Sequence, residues 1–207
     1  MPRAGSRRRT AASLDARQRL VDAATTLLST KGYAGATARA IGDEAGCNQA
    51  LVFYHYGTLN DLLLAALDAS SHDRLQRYQT AIANASGLRG VLGVARSLYR
   101  ADRESGHINL VAQMVAGGVV DRDLGRQVAQ RVEPWIDLTR NAIETTLPAA
   151  VRRRLPVGDI AYVIVAMALG AQLLAILSGD RDRTQAALDR LTTSRGLLRG
   201  LGADTSG

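Results

Sequence analysis

Two sets of residues in this chain have types and spacing that could do chemistry. Arg3, Arg7, Arg8 and Arg9 stand within residues 1–14, a stretch with no acidic residue, and such an arm suits contacts to phosphates or to a nucleic-acid minor groove. The second set is scattered through apolar stretches: Tyr99, His107, Asn109, Gln113, Met114, Trp135, Tyr162 and Gln172. Polar and adaptable groups among hydrophobic ones are the mixture a small-molecule pocket needs. A core whose buried polar groups pair internally contains the same mixture. Basic residues are scarce over 108–120 and 160–179, which points to a neutral, hydrophobic ligand. Reaction chemistry is poorly supplied. The G-x-S-x-G, G-x-G-x-x-G, Walker-type and H-E-x-x-H patterns are missing, and His55, His72 and His107 lack ligand-like spacing. No catalytic residue, metal or cofactor is therefore expected.

The elements that must position these groups are helical. The chain has 207 residues, 46% hydrophobic and only 4% aromatic, and Ala, Leu, Arg and Val abound, which favours helices over strands. Its net charge is +7 with a pI near 10.3, and all basic residues but Lys31 are arginine. A single cysteine excludes an internal disulfide, and no leader-like apolar run opens the sequence, so a cytoplasmic location is expected.

Leu20, Ala23, Ala24, Leu27 and Leu28 form one stripe of a first helix, which Ser13 or Asp15 can cap and which Lys31 and Gly32 should end. Thr37 caps a short second helix with Ala38, Ile41 and Ala45 inward, ended by Gly46. Asn48 caps a third, running to about Tyr56. Two short helices around a glycine-containing turn are the helix-turn-helix pattern, whose second helix enters a major groove. Thr58 and Asp61 form a capping box for a fourth helix, extending to about Asn84. Further stripes follow at 91–98, at 108–115 stopped by Gly117-Gly118, at 124–143 where Pro134 should kink or restart the helix, at 160–179, and at 187–198. The total is about nine helices and no strand.

Gly32-Tyr33, Thr37, Ile41, Ala45-Gly46-Cys47, Phe53-Tyr54-His55-Tyr56, Thr58 and Asp61-Leu62, in this order over about residues 14–65, resemble the N-terminal DNA-binding domain of the TetR family of one-component transcriptional regulators. The rest is similar only in length and helical character. The resemblance implies an all-α fold, with a three-helix helix-turn-helix head joined by a long fourth helix to a C-terminal ligand-binding and dimerisation domain. Its expected boundaries are a flexible basic arm over 1–14, the head over 15–60 and the body over 61–207.

By the same resemblance Asn48, Gln49, Ala50 and Leu51 lie at the end of the third helix that faces the bases, where amides pair with adenine and apolar groups meet thymine methyls. Gln49 leads as a base contact, while Asn48 also suits a cap. Tyr54 and His55 align with groups that reach phosphates, and Phe53, lacking the hydroxyl, is expected in the core. Arg39, on the second helix, is expected at the backbone or a guanine edge. With Thr37 and the arm residues Arg7, Arg8 and Arg9, these complete the expected DNA surface. Four positions depart from the family pattern: Gly42 for alanine, Cys47 for a valine-like residue, Tyr56 for phenylalanine, and Leu59 where a phosphate-binding lysine is frequent. Cys47 is expected to be buried rather than redox-active.

The resemblance further implies a repressor that binds double-stranded DNA at a palindromic operator, a small hydrophobic ligand, and a homodimer through the last two helices, about 160–199. The uncharged stretch from Ile160 to Gly179 is long enough to cross a membrane. Its interior Gln172 and Gly170, its small residues Ala166, Ala171 and Ala175, and its flanking Asp159 and Asp180 instead suggest a close-packed dimer seam without a membrane. The alternative is a small-molecule-binding helical dimer whose head no longer reads DNA, for which Leu59 and Phe53 speak.

Overall fold

The computed structural model describes residues 4–180 with Arg183, Ala186 and Arg190, the side chains of 4–12 aside. Among the described residues there are nine α-helices and no strand: α1 (Ala4–Gly35), α2 (Ala38–Glu44), α3 (Ala50–Tyr56), α4 (Leu59–Ala83), α5 (Gly87–Glu104), α6 (His107–Val120), α7 (Arg122–Thr146), α8 (Ala149–Arg152) and α9 (Val157–Ser178). They form two compact units, one of residues 1–72 with 109–129, the other of 73–108 with the residues from 130 onward. The helix expected over 187–198 lies outside the described residues.

The first unit holds the well-filled core. Leu20, Leu27 and Leu28 of α1, Ile41 of α2, Val52 of α3, Leu62 and Leu63 of α4, Leu110 and Met114 of α6 and Leu124 of α7 are all less than 2% exposed. Each such side chain contributes about 1.5–3 kcal/mol on burial. The predicted stripes of α1 and α4 are thus the faces that pack.

Three expectations change. The arm expected to be flexible is helical from Ala4, and Ser13 and Asp15 lie inside α1. Alanine and arginine are strong helix formers, and no proline interrupts them after Pro2. Gly32, at φ 74°, does break the regular helix where expected. Gly117 and Gly118 do not stop α6, which continues to Val120. They make room: a Cβ on Gly117 would lie 2.6 Å from the Tyr33 ring, and one on Gly118 would lie 2.8 Å from the Gly125 backbone. Pro134 stays within α7, which runs on to Thr146.

The second unit is less tightly filled. Among its described residues the large buried apolar side chains Ile108, Leu138 and Val157 keep 8–9% exposure. Helix α9 leaves Tyr162, Val163, Ile164, Met167, Leu174 and Leu177 exposed, from 41% to 83%. By length and composition α9 could cross a membrane, with a mean hydropathy of 2.4.

Candidate nucleic-acid interface

Local bonds set the angle between α2 and α3. Thr37 Oγ1 accepts from the Ala40 N–H at 3.2 Å and starts α2. The turn reverses at Gly46, whose φ of 60° suits glycine, and is closed by the Cys47 N–H donating to Gly42 O at 2.8 Å. Gly42 permits this approach, since a Cβ there would meet Cys47 O and Gln49 N at 3.0 Å. The guanidinium of Arg19 reaches over from α1 to donate to Ala45 O at 3.1 Å while pairing with Asp15 at 3.2 Å. Asn48 Oδ1 accepts from the Ala50 N–H at 2.8 Å, the capping role considered for it.

Two anchors hold α3 on the head. Val52 is fully buried, and Tyr56 Oη donates to Arg17 O at 3.0 Å, with the Arg17 guanidinium 5.1 Å from the Tyr56 ring centroid. The hydroxyl that distinguishes Tyr56 from the family's phenylalanine therefore ties α3 to α1. Beyond α3, Thr58 Oγ1 accepts from the Asp61 N–H at 3.1 Å and donates to Asp61 Oδ2 at 2.7 Å, completing the predicted capping box.

These anchors leave Asn48, Gln49, Ala50 and Tyr54 exposed and Leu51, His55 and Leu59 half-buried. Phe53, expected in the core, is 52% exposed. It sits one residue, or about 100°, beyond the anchoring Val52, so burying Val52 turns Phe53 outward. Tyr54 and His55 pack edge to face at 4.9 Å. Arg39 is 86% exposed and 4.0 Å from Asp43. Cys47 is half-buried, with its thiol 3.5 Å from Ala45 O. The side chains of Arg7, Arg8 and Arg9 fall outside the description.

Three expected ligand residues serve the first unit. Asn109 Nδ2 donates to Ser29 O, Gln113 Oε1 accepts from the Tyr33 N–H at 3.1 Å, and Met114 is fully enclosed. The network continues: Tyr33 Oη donates to Asn60 Oδ1 at 3.4 Å, and Asn60 Nδ2 donates to Asp121 Oδ2 at 2.8 Å. Asp121 caps α7 through the N–H groups of Asp123 and Leu124. The Leu124 N–H, then the Asn60 amide, hold the Asp121 carboxyl below its ordinary value. Burial, then the charge of Asp121, raise the Tyr33 hydroxyl.

In the second unit, His107 and Trp135 come together, their ring centroids 5.8 Å apart, and Tyr78 meets Trp135 edge to face at 5.4 Å. His107 is 4% exposed. Burial pushes its pKa down to about 4, against the opposing pull of Asp102. Asp102 is itself buried and paired to Arg74 at 2.8 Å, and Arg74 also donates to Ser105 Oγ at 2.7 Å. Tyr78 Oη donates to Leu98 O at 3.1 Å, and burial, then Asp102, raise its pKa. The hydroxyl of Tyr99 is buried with no hydrogen-bond partner among the described residues. Tyr162 is 61% exposed, and Gln172 is buried. Sequence reading missed Arg74, Tyr78 and Asp102, because they stand in polar runs with no motif. An open cleft of about 670 Å³ is lined by Asp73, Gln76, Arg77, Thr80 and Ala81, none of them an expected ligand residue.

A three-helix head with a braced turn and an outward last helix, followed by described residues that are all helical, defines a helix-turn-helix architecture. Residues 20–66 match the family described as bacterial regulatory proteins, tetR family. The head is thus similar to the DNA-binding domain of that family, over less than a quarter of the chain. Most of the chain is similar in fold to solved structures. One is a TetR-family regulator from Rhodococcus sp., 19% identical, with a TM-score of 0.69, covering 90% of this chain and 98% of that one. A TetR-family regulator from Mesorhizobium loti is 21% identical, with a TM-score of 0.67, covering 92% and 96%. The fatty acid degradation regulator FadR from Bacillus halodurans is 10% identical, with a TM-score of 0.68, covering 85% and 92%. No curated protein sequence matches the chain.

Proposed function

We propose that the protein is a ligand-responsive repressor that works in the cytoplasm as a homodimer on a palindromic operator. The observation that carries this reading is α3, fixed by the buried Val52 and the Tyr56–Arg17 bond, with Gln49 and Ala50 left exposed. In this reading Gln49, Ala50 and Leu51 meet base edges. Thr37, Arg39, Asn48, Tyr54 and His55, with Arg7, Arg8 and Arg9 of the arm, hold phosphates and groove walls. Two heads about 34–36 Å apart meet successive major grooves on one side of the duplex.

Dimerisation is supported by the apolar surface of α9, which extends from Tyr162 to Leu177. A soluble chain is expected to cover such a surface, and a self-complementary two-fold contact does so. A ligand is supported by the buried Tyr99 hydroxyl, which has no hydrogen-bond partner among the described residues, and by the buried His107 beside Trp135. A small hydrophobic compound favouring one state of the body lowers operator affinity by its differential affinity for the two states, transmitted along α4. A compound that raises the melting temperature yet leaves operator affinity unchanged counts against this role for that compound.

The second reading, a ligand-binding dimer with a silent head, draws on the apolar Leu59 and Phe53. Arg39→Ala and Gln49→Ala separate the two. In a reader, the first weakens binding to all sequences and lowers the salt slope by about 1, and the second relaxes base preference. In the silent head neither changes anything. Sedimentation velocity tests the dimer: a dimer that Met167→Asp dissociates is expected, and a monomeric or detergent-requiring wild type contradicts it.

A further inference from the structure

The exposed face of α3 is chemically one-sided. At about 100° per residue, Gln49, Phe53, Ala50 and Tyr54 occupy a single arc of about 140°, and all four are exposed. Gln49 has helical φ/ψ, so it continues the face of α3 although it precedes the helix. From Asn48 to Gly57 there is no arginine, lysine, aspartate or glutamate. The only titratable groups on this stretch with a basic side chain reduce to His55, half-buried against the Tyr54 ring. Of the neighbouring guanidiniums, Arg17 lies over Tyr56 and Arg19 on Ala45 O, while the exposed Arg39 belongs to α2 and stands 4.0 Å from Asp43.

Base pairs differ in what they ask of a protein. Guanine is read by the paired donors of arginine or lysine, cytosine by carboxylates, adenine by the amide of Asn or Gln, and thymine by apolar contact with its methyl group. The face of α3 has nothing for the first two. Asn48 Oδ1 is held by the Ala50 N–H, whereas Gln49 makes no capping bond. Phe53 lies one turn beyond Gln49 on the same line, within the about 5–6 Å that separates i and i+4 neighbours. An exposed phenylalanine has no hydroxyl for a phosphate but offers an apolar edge.

We propose that α3 reads A·T base pairs, with Gln49 on adenine and the exposed Phe53, helped by Ala50, on thymine methyl groups. The inference rests on the DNA-reading function proposed above and names its target class. Phe53 thereby becomes a specificity-determining residue, where its missing hydroxyl alone suggested a loss of function.

The test is selection of bound duplexes by the full-length protein from a random double-stranded library. It is followed by anisotropy titrations of the selected duplex against the same duplex with uracil replacing thymine. Half-sites dominated by A·T pairs are expected. Removing one contacted methyl should weaken binding about fourfold, the equivalent of one buried carbon. Phe53→Ala should lose most of the difference between the thymine and uracil duplexes, leaving only what Ala50 contributes, whereas Phe53→Leu, still apolar, should keep more of it. Selected half-sites with invariant G·C pairs that persist in Arg39→Ala would overturn the A·T assignment while leaving DNA reading intact, as would equal affinity of the wild type for thymine and uracil duplexes. No enrichment at all overturns both the assignment and the reading on which it rests.

Discussion

His107 makes the stability of the second unit depend on pH in a predictable direction. In the folded protein its pKa is about 4, against about 6.5 for an exposed histidine in the unfolded chain. The folded-state value is depressed, so the stabilisation is complete above about pH 6.5 and is lost as pH falls through the interval down to 4. The full difference corresponds to about 3 kcal/mol, of which about 2 kcal/mol is already lost at pH 5. For a chain of this size that lowers the melting temperature by about 4–8 °C between pH 7.5 and pH 5. The charged neighbours Asp102 and Arg74 are paired to each other, so the imidazole gains little net help to charge. His107→Gln keeps a buried polar side chain that does not titrate. Thermal unfolding of both proteins followed by circular dichroism at pH 7.5, 6.5, 5.5 and 5 isolates the residue, because other groups cancel in the difference. The two curves should converge as pH falls. Parallel curves would refute the argument that burial dominates at this site.

Two further outcomes follow from the packing and from the head. Gly117→Ala places a methyl 2.6 Å from the Tyr33 ring, and overpacking of this kind destabilises by about 1–3 kcal/mol, measurable as a lower urea midpoint; an unchanged or raised midpoint would mean that the ring moves freely. Leu59→Lys restores a cation next to the α3 interface and should tighten DNA binding at moderate salt with a steeper salt dependence; unchanged binding by anisotropy would place Leu59 away from the backbone.

The head was readable because its signals are local. Thr37, Gly46, Thr58 and Asp61 act within a few residues of themselves, so the caps and the turn follow from spacing alone. The exposure of Phe53 is not legible from its missing hydroxyl, because its angle from the buried Val52 decides the matter. Gly117 and Gly118 read as breakers because the sequence does not reveal that Tyr33 and Gly125 lie against them. Asn109 and Gln113 looked like ligand groups for the same reason. Their partners, Ser29 and the Tyr33 N–H, are eighty residues away in sequence. The pairing of Arg74 with Asp102 was equally invisible, since two charged residues in polar runs acquire meaning only when the fold brings them together.

The claim that α3 presents a base-reading face is tested most directly by fluorescence anisotropy of the full-length protein on fragments of its own upstream region, against scrambled duplexes, at two salt concentrations. The account predicts tight binding to one fragment that persists at the higher salt, fails on the scrambled duplex, and loses its preference in Gln49→Ala. Weak binding, equal on both duplexes and unaffected by Gln49→Ala, would contradict it.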